Sequence, residues 1–239
     1  MSSSSVIPAE ADLLCESCGY TLSGLPLTGN CPECGDAIAS SIGDHRHPPR
    51  WERERTFQAW VETSWLILLH PTRFFTTYTS RDSLDAARVF GSYHWFLAAI
   101  LLGVAGTLHA NWFFGLSGNA TKFHWLQGLT FILIVLGLLV LTNQLAGRLT
   151  AWEAAYHGWR MPLPVVMRGL YYHSPHYLPV AVMGFATVAG YRSLLAARLV
   201  GAESAQVYLY VLCAEVIVGA VYLFYTYWIA MRSIRYANR

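Results

Sequence analysis

The chain has 239 residues, of which 54% are apolar and only 13% charged, and it carries a formal net charge of +2. An average soluble domain is roughly 25% charged, so this composition argues against an ordinary soluble protein. The small net charge by itself assigns no polyanionic partner. What charge there is lies at one end: eleven of the fourteen acids precede residue 90. No repeat array or low-complexity region occurs beyond a short serine run at the start.

Residues 1–12 are Ser-rich, with neither a basic start nor an apolar run, and are expected to be disordered rather than a signal peptide. Residues 13–38 follow as two knuckles, Cys15-Glu-Ser-Cys18-Gly-Tyr and Cys31-Pro-Glu-Cys34-Gly, separated by twelve residues. Two residues between thiolates let one tight turn present both sulfurs to a tetrahedral ion, and the glycine after each pair relieves the backbone. The spacing predicts a four-cysteine zinc ribbon. Iron in a rubredoxin-like site uses the same knuckles, although rubredoxins separate them by a longer stretch. Two disulfides would suit a secreted chain. Four thiolates leave no open coordination position, so the expected role is structural, not catalytic. Cys15 to Asp36 contains Glu16, Glu33 and Asp36 and no Lys or Arg, so the ribbon offers no phosphate-binding patch and no nucleic acid is expected as a partner. Cys213, in an apolar run, is expected to be a small buried hydrophobe.

Residues 39–56 are polar and Pro-containing, a linker by composition. A thirteen-residue apolar stretch, Phe57 to Leu69, is short for a crossing and suits an interfacial or re-entrant helix. Four later stretches have the length and composition of membrane spans, at about 95–114, 126–145, 177–195 and 207–229. The second holds TFILIVLGLLVL, which has no polar face to offer water. Between the second and third spans, Trp152 to Tyr172 is interrupted by Pro162 and Pro164 and is expected to form short helices on the cytoplasmic surface. The fold class expected is an all-α integral membrane helical bundle with a small N-terminal four-cysteine ribbon.

Orientation follows from the basic residues. Thirteen arginines lie before the first span, between the second and third, or in the tail, against Lys122, Arg192 and Arg198 on the opposite side. Both termini are therefore expected in the cytoplasm, where reduced thiols also belong. In a bacterium this corresponds to the inner membrane. Tyr93, Trp95, Trp152, Trp159, Tyr177, Tyr227 and Trp228 are expected near the inner interface, and Trp112, Trp125, Tyr191, Tyr208 and Tyr210 near the outer one. Small residues at Ala99, Gly103, Gly106 and Ala110, and at Gly184, Ala186 and Gly190, offer close helix contact within a bundle or a homo-oligomer.

The N-terminal CESCGYTLSGLPLTGNCPECG resembles a short zinc ribbon found ahead of bacterial membrane domains. Leu69-His70-Pro71-Thr72-Arg73-Phe74-Phe75 resembles the Pro-x-x-Phe-Phe segment that opens the Yip family of small multi-span membrane proteins, over about residues 60–232 and within a membrane domain of 57–239. Members show about five hydrophobic segments where this chain has four strong ones. The eukaryotic side of that family is associated with Rab-type GTPases, so the resemblance implies a membrane-organising or partner-binding protein and carries over no catalytic residue. Pro71 is expected to stop a helix, and Phe74 and Phe75 to bury at the bilayer interface.

Polar residues inside apolar runs mark the remaining candidates. Glu215 in VLCAEVIVGA carries a carboxyl that costs roughly 2.5–3.5 kcal/mol to insert, so it should face protein. Pairing with His109 or Arg192 is one expectation, and a neutral hydrogen bond to a neighbouring helix is the other. Glu153 and His157, one helical turn apart, with His173 and His176 nearby, offer a second metal site; His45 and His47 are weaker candidates. HExxH, GxSxG and phosphate-loop patterns are absent. The leading expectation is a non-enzymatic membrane scaffold that reaches a protein partner through its ribbon. A small transporter or ion-coupled protein using Glu215, His109 and Arg192 is the alternative. A metalloenzyme on Glu153, His157, His173 and His176 is a third.

Overall fold

The computed structural model describes residues 12–42, 46–116 and 125–238. His45, Lys122, Arg239 and nearly all of the 1–12 segment lie outside the described residues, as does the side chain of Trp125. Helices dominate, and among the described residues there is no strand beyond isolated bridges. Three short helices come first: α1 (Arg50–Glu54), α2 (Phe57–Leu69) and α3 (Pro71–Thr77). Then follow α4 (Leu84–Leu116), α5 (Trp125–Tyr156), α6 (Leu163–His173), α7 (Tyr177–Ala196) and α8 (Ala205–Ile234). Four helical stretches are long and apolar enough to cross a membrane, with α6 and α7 forming one of them, Leu163–Ala196. Apolar side chains cover their outer faces: on α5, Leu133, Leu138, Leu141 and Leu145 are all exposed, as a lipid-facing helix requires.

Local chemistry sets the element ends. The Thr56 side chain caps α2 by accepting from the Ala59 amide at 3.2 Å. Arg55 ends α1 in the left-handed region at φ 49°, and Gly158 follows α5 at φ 69°. Pro71 occupies the first turn of α3, where its missing N–H is harmless. It opens a helix as well as closing the one before it.

The chain divides into two compact units. The first takes the chain up to Gly91, Asn143–His173 and the chain from Thr226. Its core is aromatic: Phe74, Phe75, Tyr78, Phe90 and Tyr172 pack with ring centroids 5.1–5.6 Å apart. Phe74 and Phe75 are thus buried in protein, not in the bilayer interface as expected. The segment read as a linker is also ordered where it is described. Trp51 is buried and donates its indole N–H to the Ala86 carbonyl at 2.8 Å. His47 pairs with the end of α3, its amide bonding the Thr77 carbonyl at 2.7 Å. Helix α6 differs from expectation too. Every residue from Val165 to His173 is buried, because Arg168 and the tyrosines are satisfied inside the unit, so it does not lie on a surface.

The second unit comprises Ser92–Thr142 and Ser174–Tyr225. Trp112, Tyr191 and Tyr208 form its aromatic centre, with the two tyrosine rings stacked at 4.0 Å. These residues and the buried Trp95 are packing residues, not interfacial anchors. Trp152, Trp228, Tyr93 and Tyr210 are exposed, as anchors would be. Cys213 is exposed on α8 and is not the buried hydrophobe expected.

Small residues do allow close approach. A Cβ on Gly103 would lie 2.7 Å from the Ile132 backbone nitrogen, whereas one on Gly137 or Gly190 would meet nothing within 4 Å. Overpacking typically costs about 1–3 kcal/mol. Gly103→Val is therefore expected to lower the melting temperature in detergent by about 2–12 °C, with Gly137→Val nearly neutral. Equal shifts would show that the α4–α5 contact is not tight.

Candidate metal centre and intramembrane polar groups

Each cysteine pair sits in the same local structure. In the first knuckle the Gly19 amide bonds the Cys15 carbonyl at 2.8 Å, and the Cys15 amide bonds the Tyr20 carbonyl at 2.8 Å. The second repeats this with Gly35 to Cys31 at 2.9 Å and Cys31 to Asp36 at 2.7 Å. Gly19 and Gly35 have φ of 83° and 79°, the left-handed conformation that glycine adopts without strain. Beneath the knuckles, Leu22 and Ile38 form a small core with Cys15 and Cys31.

The four Sγ atoms lie within 4.8 Å of one another, with Cys15–Cys34 and Cys18–Cys31 each at 3.6 Å. Metal–sulfur bonds of about 2.3 Å at a tetrahedral ion imply an S···S edge of about 3.8 Å. Four thiolates at that spacing fit one metal ion with every position filled. A disulfide needs about 2.05 Å between sulfurs, so no pair is bonded. Burial, opposed by the Tyr20 backbone amide, raises the Cys18 thiol to about 12. Burial also raises Cys31, but the backbone amides of Cys34 and Glu33 outweigh it and bring that thiol to about 7. Metal binding requires all four as thiolates, so acid competes with the ion.

The ribbon is fastened within its unit to the chain's C-terminal end. Asn238 accepts from the Leu14 amide at 3.1 Å and donates to the carbonyls of Leu14 at 2.7 Å and Ser41 at 2.9 Å. Its own amide bonds the Glu16 carboxylate at 2.8 Å. Buried Arg46 grips Glu16 with contacts of 2.7 and 2.9 Å and also donates to the carbonyls of Phe75, Tyr78 and Ser233. Arg160 donates to the Asp12 carbonyl. Gly19 lies against the Tyr236 ring, which a Cβ there would approach to 2.5 Å. Sequence reasoning missed Asn238 and Arg46, whose partners stand up to 224 residues away. Leaving a buried donor or acceptor unsatisfied costs about 1–3 kcal/mol. Asn238→Ala is thus expected to speed amide exchange of Leu14 and its neighbours by about 5–150-fold while the metal stays bound. Unchanged exchange would show that the ribbon is held by other means.

The cysteines are the only group of three or more metal-capable side chains brought together among the described residues. The expected second site on Glu153, His157, His173 and His176 is not assembled. His173 Nε2 lies 2.8 Å from the Thr226 hydroxyl, and His176 Nδ1 lies 2.7 Å from the Tyr222 hydroxyl. The His157 ring stacks on Trp159 at 4.9 Å, and Glu153 is exposed. Hydroxyls and an indole have taken the roles a metal would have had.

The expected pairs of Glu215 with His109 or Arg192 are also not formed. The Thr187 hydroxyl donates to Glu215 Oε1, which is the neighbouring-helix hydrogen bond offered as the alternative. His109 Nδ1 lies 2.8 Å from the Tyr208 hydroxyl. Glu215 and His109 nonetheless line one cavity.

No protein-family model, no curated protein and no solved structure matches the chain. The resemblance to the Yip family therefore rests on the Pro-x-x-Phe-Phe segment and on the order of hydrophobic segments that follow it, with no family match behind it.

Proposed function

We propose that this chain is a non-enzymatic integral membrane protein whose structural zinc ribbon is a docked recognition module. The observation that carries this reading is the closed four-thiol site in a ribbon tied to the C-terminal tail. A metal with four protein ligands has no position for substrate, and a tied ribbon presents one fixed face. The ribbon exposes Tyr20, Leu27, Glu33 and Asp36, apolar and acidic side chains suited to a basic protein partner. The short interval between knuckles favours zinc over iron.

The membrane helices serve as anchor and assembly surface. The arginine distribution and the need for reduced thiols favour a cytoplasmic ribbon with both termini on that side, at the inner membrane if the host is a bacterium. The Pro-x-x-Phe-Phe segment fits the membrane-organising role of the family it resembles.

The test is site-specific photo-crosslinking in cells from a probe at Leu27, with a probe at buried Leu14 as control. A discrete adduct from Leu27, absent from Leu14 and lost in Cys15→Ser/Cys18→Ser, is expected. No adduct from Leu27, or the same adduct from both positions, would contradict a recognition role for that face.

A further inference from the structure

Within the first unit, α1, α2, α3 and the segment leading into α1 border an open-sided groove of about 290 Å³. Its floor is apolar, with Leu66 and the buried rings of Phe74 and Tyr78, and its rim carries His47, Arg50, Arg53 and Glu62. The rim is open to solvent: His47 and Arg53 are exposed, and the side chains of Arg50 and Glu62 are 35% and 45% accessible. Its charges are unequally engaged. Arg50 spans two acids, donating to Glu54 at 3.0 Å and to Glu62. The Arg53 guanidinium and the His47 ring have no partner among the described residues. Glu62 also accepts from Gln58 at 2.9 Å, and Gln58 and Arg50 hold its carboxyl below the usual carboxylate range. A carboxylate has about four lone-pair sites, so Glu62 keeps acceptor sites to spare.

We propose that this groove holds the headgroup of a bilayer phosphatidylethanolamine, with its phosphate on Arg53 and His47 and its ammonium on Glu62. Charge complementarity selects the headgroup. Arg50 and Arg53 balance Glu54 and Glu62, so a ligand of either single sign meets a like charge, whereas a zwitterion satisfies both. An arginine fork suits phosphate oxygens, and a carboxylate offers acceptors only, so the ammonium must bring N–H donors. The trimethylated ammonium of phosphatidylcholine has none. The source is the bilayer, because Glu62, Trp65 and Leu69 follow one another at i, i+3 and i+7 on α2 and all three are exposed. That spacing puts them on one helix face, and an exposed Trp beside a charged group belongs at headgroup depth. The acyl chains are then left to the apolar part of that face. This inference needs only the bilayer and is independent of what the ribbon recognises.

The probe is dioleoyl phosphatidylethanolamine, titrated onto the detergent-purified full-length protein and read by native mass spectrometry. One molecule per chain is expected to saturate at least about tenfold below the concentration needed for dioleoyl phosphatidylcholine or phosphatidylglycerol, as hydrogen bonds to charged groups differ by that much. Arg53→Gln and Glu62→Gln should each erase most of this preference, and Arg198→Gln, outside the groove, should leave it intact. Three results would overturn the proposal. One is equal retention of the choline or the glycerol lipid. Another is a preference that survives either groove variant. The third is displacement by soluble phosphoethanolamine at the same concentration as by the lipid, which would make the ligand a free metabolite. The lipid comparisons need only the wild-type protein, so they decide the matter even if a variant fails to fold.

Discussion

Arg168→Met is expected to destabilise the first unit by about 3–5 kcal/mol, the usual cost of removing one partner from a buried ion pair. Arg168 is fully buried and spends its guanidinium on three acceptors. It donates to the Thr79 carbonyl at 2.9 Å, to the Ser83 carbonyl, and to Glu52 at 2.6 Å. Its guanidinium carbon also lies 5.9 Å from the Tyr78 ring and 5.7 Å from the Tyr172 ring. Loss of the arginine strands Glu52, which then keeps only the Tyr172 hydroxyl among the partners described above, together with two carbonyls. A melting temperature lower by about 6–20 °C is the expected reading. Arg168→Lys should recover little, since an ammonium keeps the charge but not the fork. Adding Glu52→Gln to Arg168→Met should recover part of the loss, because the stranded charge is gone. A shift under 2 °C for Arg168→Met would show that this network is not what holds α1 and α6 in the unit.

The second large effect is expected at the ribbon. Structural zinc contributes about 10–16 kcal/mol in small zinc-dependent folds, far more than the few buried side chains of this ribbon supply. Cys15→Ser/Cys18→Ser is therefore expected to unfold residues 13–41. Hydrogen exchange should show protection lost across the ribbon and at Asn238, whose partners Leu14 and Ser41 go with it. Protection along α5 should persist, because its hydrogen bonds do not depend on the ribbon. Lowering the pH should produce the same local loss in the wild-type protein as the thiolates take up protons and release the ion. Retained ribbon protection in the double variant would mean that the metal is dispensable to the fold.

What could be read directly from the sequence was local. Two Cys-x-x-Cys-Gly knuckles announce themselves over five residues each, and the glycines adopt the positive φ the motif requires. Four spans are legible because hydropathy is a property of a continuous window. The limits of those helices were not. The first begins at Leu84, well before 95, and the second runs on to Tyr156, well past 145. Hydropathy falls where Arg88, His94, Arg148 and Thr150 appear, but the helix continues wherever protein can satisfy such groups. Thr150, for example, is bonded to Tyr227.

Long-range pairing was also invisible. Arg46, Arg160 and Arg168 enter the sequence as positive charges that orient a membrane protein. In the fold each is buried and donates to backbone carbonyls. The same holds for histidine spacing. His173 and His176 look like metal ligands on paper, and only α8 reveals the hydroxyls that engage them.

The most direct test of the account is metal content per chain, measured by elemental analysis of detergent-purified protein beside Cys15→Ser/Cys18→Ser. One zinc per wild-type chain and none in the variant is the predicted result. No metal in the wild type, or an equivalent that survives loss of the cysteines, would contradict it.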